Sequence, residues 1–127
     1  MSTEEKWVID IDGLEAGGRS FTLMVSPYLC AKCRKKLKVE TANITSADIL
    51  KSLKTCCAKA DDFITSTMPL QESVFRVLLA GGNKPMTVGE ISRELGIRRN
   101  ADAYRTAPEL IVKLLKNGRH YGFLSRN

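Results

Sequence analysis

Residues 70–123 read LQESVFRVLLAGGNKPMTVGEISRELGIRRNADAYRTAPELIVKLLKNGRHYGF, and the order of apolar periods and stops in this stretch decides the fold. Leu70, Val74, Val77 and Leu78 recur at helical spacing, with Pro69 placed where a first helical residue needs no N–H. Gly81-Gly82 predicts the end of that helix. Thr87 and Glu90 have the T-x-x-E spacing of a capping box, and Met86 and Ile91 stand where a hydrophobic staple joins its two partners. Val88, Ile91 and Leu95 give the second helix one apolar stripe, and Gly96 followed by Ile97 predicts its stop. Leu110, Ile111, Leu114 and Leu115 make a third, strongly apolar helix. Pro108 suits its first position and Asn117-Gly118 closes it. Residues 119–124 then predict a short terminal ribbon.

The segments VFRVLLAGGNKPMTVGEISRELGI and LIVKLLKNGRHYGFL, in that order, resemble the winged helix-turn-helix superfamily over somewhat under half the chain. The resemblance implies a three-helix fold whose third helix often enters the DNA major groove while a wing lies along the backbone. It therefore implies duplex DNA as partner and a role in transcription regulation. The cations that would serve are Arg98 and Arg99 in the turn, Arg105 before the third helix, Lys113 and Lys116 on it, and Arg119, His120 and Arg126 around the wing. Phosphate contacts from such groups position a protein and dominate its affinity. The chain departs from the usual pattern in one respect: twenty-one residues separate Gly96 from Gly118, more than a tight turn leaves. Glu109, in the first turn of the third helix, would also repel phosphate. A second reading makes the same module a docking adaptor in a larger protein assembly, with Tyr104, Leu110 or Ile111 as anchors inside a Lys/Arg rim.

Ahead of this half, residues 6–26 carry a period of two. Trp7, Ile9 and Ile11 alternate with Val8, Asp10 and Asp12, and Phe21, Leu23 and Val25 alternate with Thr22, Met24 and Ser26. The expectation is a β-hairpin with one buried face, Trp7 in its core, and a loop from about Gly13 to Ser20 in which Gly17-Gly18 supplies positive-φ freedom. Further on, Ile49, Leu53, Cys56, Ala60 and Ile64 share a helical stripe, with Thr45 as N-cap between staple partners Ile44 and Ile49. The predicted architecture is α+β. Residues 1–66 form a β-hairpin with a zinc knuckle and a helix, and residues 67–127 form the winged helix.

The cysteines supply the zinc. Cys30 and Cys33 stand two residues apart, the spacing of a metal knuckle, and after twenty-two further residues come Cys56 and Cys57, the only others in the chain. One tetrathiolate site accounts for all four, and its formal charge of −2 with Zn²⁺ suits the flanking Lys32, Arg34, Lys35, Lys36, Lys54 and Lys59. The adjacent pair poses a geometric condition, because neighbours on a continuous α-helix point about 100° apart. Either one helix spans residues 46–66 with one cysteine merely packed, or it breaks near Lys54-Thr55 and presents both sulfurs. The second arrangement resembles treble-clef or zinc-ribbon modules in outline. An iron–sulfur cluster is the rival occupant, and a redox C-x-x-C lacks the βαβ pattern that should follow it.

Across its 127 residues the chain carries a net charge of +6. Residues 1–68 hold ten Lys/Arg against nine Asp/Glu and residues 69–127 ten against five, so the basic excess sits in the winged-helix half. That balance suits an anionic partner or a solvated basic surface. No apolar run reaches the roughly 20 residues of a membrane span, and the acidic N-terminus is unlike a signal peptide; both predict a soluble cytoplasmic protein without membrane partners. The lone histidine, His120, and the adjacent Asp61-Asp62 make no catalytic constellation, and no phosphate-cradling loop or nucleophile elbow occurs. A non-enzymatic protein is expected.

Overall fold

The computed structural model describes residues 5–37, 44–100 and 103–126, the side chains of Ala103 and Tyr104 excepted. It is α+β and mostly helical, with one small antiparallel sheet. Strand β1 (Lys6–Ile9) is followed by helices α1 (Ile11–Ala16), α2 (Phe21–Val25), α3 (Ala31–Leu37), α4 (Ser46–Thr55) and α5 (Leu70–Ala80). Then come β2 (Met86–Thr87), α6 (Val88–Arg99), α7 (Pro108–Lys116) and β3 (Phe123–Arg126).

The sheet order is β2-β1-β3, so the N-terminal strand lies between two strands of the C-terminal half. Trp7 pairs with Met86 on one side and Ser125 on the other. Trp7, Val8 and Ile9 are all buried, as expected of a central strand covered on both faces rather than a half-exposed hairpin arm. The predicted hairpin is therefore corrected. Its second arm is helix α2, in which Phe21 and Val25 are buried at i,i+4 while Leu23 is 75% exposed. A period of two and a period near four both place Phe21 and Val25 on one side, and the Ser20 hydroxyl accepting the Leu23 N–H selects the helix. The end of the expected first arm and the first part of the expected Gly13–Ser20 loop are helix α1, capped by Asp10, whose carboxylate accepts the Gly13 N–H at 3.0 Å; Gly18, at φ 87°, has the positive φ expected of the loop.

Helix ends in the C-terminal half follow local chemistry closely. The Gly82 N–H reaches the Leu79 carbonyl at 2.9 Å and the Asn83 N–H the Leu78 carbonyl at 2.8 Å, the two bonds of a Schellman motif, with Gly82 at φ 73°. Asn83, itself at φ 63°, turns its amide onto β1, accepting from the Ile9 N–H at 2.7 Å and donating to the Ile9 carbonyl at 2.9 Å. This side chain fastens the N-terminal strand to the end of α5. The capping box of α6 is complete: Thr87 Oγ1 accepts the Glu90 N–H at 3.1 Å, and Glu90 accepts the Thr87 N–H at 2.9 Å.

Two expectations change here. Helix α6 does not stop at Gly96 but runs to Arg99, and Asn100 takes the left-handed cap at φ 50°. An interior glycine costs only about 1 kcal/mol, and bonds made by Arg98 and Arg99 in the added turn offset it. The terminal ribbon is a 3₁₀ turn, Arg119–Tyr121, and the single strand β3, whose partner is β1. Helix α7 begins at Pro108, as expected.

One hydrophobic core joins both halves. Phe75 at its centre meets Tyr28 edge-on at 6.1 Å and lies 5.0 Å from Tyr121 and 6.4 Å from Phe123 between ring centroids. Tyr28 immediately precedes Leu29 and Cys30, so this aromatic packing sets the position of the cysteine loop.

Candidate metal centre

Cysteines 30 and 33 approach from the start of α3. Cys30 is the residue before the helix, its carbonyl accepting the Arg34 N–H at 3.0 Å, and Cys33 lies in the first turn. The other two come from the end of α4. That helix stops at Thr55; Cys56 leaves helical geometry at φ −132°, ψ −68°, and Cys57 opens a 3₁₀ turn, Cys57–Lys59. The break removes the difficulty of adjacent ligands, because the two side chains no longer follow the helical 100° step. Of the two alternatives left open by the sequence, the structure has the broken helix, with the break at Cys56, just after Lys54-Thr55.

All four Sγ atoms lie within 4.8 Å of one another. Cys30 Sγ is 3.8 Å from Cys56 Sγ and 3.6 Å from Cys57 Sγ. Zinc–sulfur bonds of about 2.3 Å in a tetrahedron put the sulfurs about 3.8 Å apart, whereas a disulfide requires about 2.05 Å. The two Cys30 separations match shared coordination of one ion, and every other pair lies within 4.8 Å. The Cys30 backbone N–H also donates to Cys57 Sγ at 3.2 Å, the bond by which a peptide donor orients a thiolate ligand. Cys33 and Cys57 are buried and Cys30 and Cys56 half-buried.

The thiols differ in their protonation. The Cys33 backbone N–H, and then the Cys57 side chain, hold the Cys30 thiol down to about 7. Burial pushes the Cys33 and Cys57 thiols up. A dication placed among the four sulfurs would reverse the burial effect by neutralising the thiolates. The donor set is soft and compatible with a bound metal ion such as zinc.

The cations expected to meet nucleic acid divide into two that are bonded within the protein and others that are exposed. Arg98 is half-buried; its Nε donates to Glu94 Oε1 at 2.9 Å and its Nη1 to the Ala58 carbonyl at 2.8 Å, one residue past the cysteine pair. Arg99 is committed further: Nη1 donates to the carbonyls of Thr65 and Met68 and to Ser73 Oγ, and Nη2 to the Ser66 carbonyl, at 2.6–3.1 Å. These two arginines tie α6 to the segment leading away from the metal centre. Lys113 and Lys116 are exposed on the outer side of α7, while Ile111 and Leu115 on its inner side are buried. Arg105 and Arg126 are exposed, as are Arg119 and His120. The His120 ring nitrogens face the Arg19 guanidinium at 3.0 and 3.2 Å.

Of the expected docking anchors, Ile111 is core and Leu110 is 39% exposed; the Tyr104 side chain lies outside the described residues. Trp7 is core, as expected. Asn83, and the internal bonding of Arg99, a residue that the winged-helix resemblance assigns to phosphate, were not legible in the sequence. Only the Asn after Gly81-Gly82, a residue tolerant of positive φ, hinted at the first. No protein-family model, curated protein or solved structure matches this chain.

Proposed function

We propose that the chain is a non-enzymatic, zinc-stabilised DNA-binding protein of winged-helix type, acting in transcription regulation in the reducing cytoplasm, where thiolates remain available to a metal. The observation that carries the reading is the four-sulfur cluster braced, through Arg98 and the Ala58 carbonyl, against α6. Helices α5, α6 and α7 supply the helical trio, and β2 precedes α6 as the short first strand of a winged helix does. In this reading β1 and β3 together take the place of the wing hairpin. The outer side of α7 offers Lys113 and Lys116 to phosphate.

Zinc is the favoured occupant, held by Cys30, Cys33, Cys56 and Cys57, and its role is structural: four protein ligands close the coordination shell and leave no position for substrate. An iron–sulfur cluster is the alternative, and visible colour distinguishes it. Retention of labelled duplex DNA at about 50 mM salt, weakening steeply with added salt, is the expected result. Absence of retention at that salt would contradict the reading. Ile97, 68% exposed, and the exposed Leu110 favour the second reading, a docking adaptor that binds a protein partner through this helical module.

A further inference from the structure

Helix α3 has the sequence AKCRKKL, four cations and no acid in seven residues. Cys33 and Leu37, one helical turn apart, face inward: Cys33 is buried at the metal centre, and Leu37 packs against the core. Lys32, Arg34, Lys35 and Lys36 are all exposed, and among the described residues no hydrogen bond or ion pair reaches their side chains. Lys32, Lys35 and Lys36 stand at i, i+3 and i+4, side-chain neighbours on one helix face, where like charges repel. This contrasts with Arg98, Arg99, Arg76 and Arg19, whose guanidinium groups are engaged within the protein.

The centre beneath α3 does not consume this charge. Four thiolates and one Zn²⁺ leave −2, whereas α3 alone carries +4. A helix this short is not stable in isolation, so its cations are held in place by the Cys33 anchor and the Leu37 contact. We infer that α3, mounted on the metal centre, is a phosphate-contacting element of this protein, and that its ligand is the backbone of duplex DNA. The inference rests on the DNA-binding reading and moves the main electrostatic contact from α7 to the metal-braced half. A lipid surface fits less well, because an interfacial helix must expose large apolar side chains on one face and those of α3 point into the protein.

The test uses the full-length, metal-loaded protein and a fluorescent 20-base-pair duplex of mixed sequence. Affinity is measured between 50 and 200 mM salt for the parent, Lys35→Ser/Lys36→Ser, Lys35→Arg/Lys36→Arg and Lys113→Ser/Lys116→Ser. Each lost phosphate contact lowers the slope of log K against log salt by about 0.9. The α3 serine variant is expected to lose about 1.8 while keeping its metal content, and the arginine variant to keep the parent slope. An unchanged slope in the α3 serine variant alongside a fall in the α7 variant would overturn the inference and leave DNA binding standing. Equal losses in the serine and arginine variants would also overturn it, by showing a packing effect instead of a charge effect. A parent that ignores the duplex, whether or not it binds phosphatidylserine vesicles, would overturn the inference and the DNA-binding reading together.

Discussion

At the scale of single residues, two polar side chains carry more of the fold than their exposed neighbours. Asn83 exchanges two hydrogen bonds with the Ile9 backbone while tolerating φ 63°. Asn83→Ala leaves the Ile9 N–H and carbonyl unpaired and puts a less tolerant residue in the left-handed region, so a loss of about 2–3 kcal/mol is expected in urea unfolding. A loss under about 0.5 kcal/mol would show that water replaces the amide without penalty. Arg99 gathers three carbonyls and Ser73 Oγ. Its replacement by Ala is expected to lower stability by about 2–4 kcal/mol by orphaning those acceptors. Arg99→Ala that melts like the parent but binds DNA more weakly would return Arg99 to the phosphate-binding set.

At the scale of elements, local chemistry was readable and non-local pairing was not. The T-x-x-E box of α6, Pro108 at the start of α7 and the Gly81-Gly82 stop all came out as expected, because a cap is decided within a few residues. The hairpin failed because the spacing of Phe21 and Val25 satisfies strand and helix alike, and because the partners of β1 lie about eighty and one hundred and twenty residues away. Gly96 misled for a related reason: the carbonyls that hold the last turn of α6 belong to Ala58, Thr65, Ser66 and Met68. The clustering of the four sulfurs was legible from residue type alone, since four cysteines in two pairs leave few pairings to consider. The capping box also predicts a pH signature. Thr87 holds the Glu90 carboxyl below its usual range, so the folded state binds this proton less readily than the unfolded one. The stabilisation is present above the unfolded carboxyl pKa and is lost as pH falls through the folded value. The stability difference between the parent and Glu90→Gln should therefore be largest near neutral pH and shrink towards pH 3, followed by thermal melting in parallel buffers. A difference that stays constant with pH would exclude an ionised box.

At the scale of the whole molecule, the sheet and the core join the two ends of the chain: β1 lies between β2 and β3, and Tyr28 packs on Phe75, which in turn meets Tyr121. A metal bound among the four cysteines would thereby be connected to α6 through Arg98 and to the aromatic core through Tyr28. Chelation should lower the melting temperature of the entire protein, not only of its N-terminal residues, because metal binding free energy is folding free energy. Amide exchange in α6 should rise with it; protection of α6 that survives chelation would show the two regions to be uncoupled. The most direct measurement is X-ray absorption at the zinc edge on purified protein, together with elemental analysis. One zinc per chain surrounded by four sulfurs at about 2.3 Å is the predicted result, and a metal-free chain, or an ion bound by fewer than four sulfurs, would contradict the account.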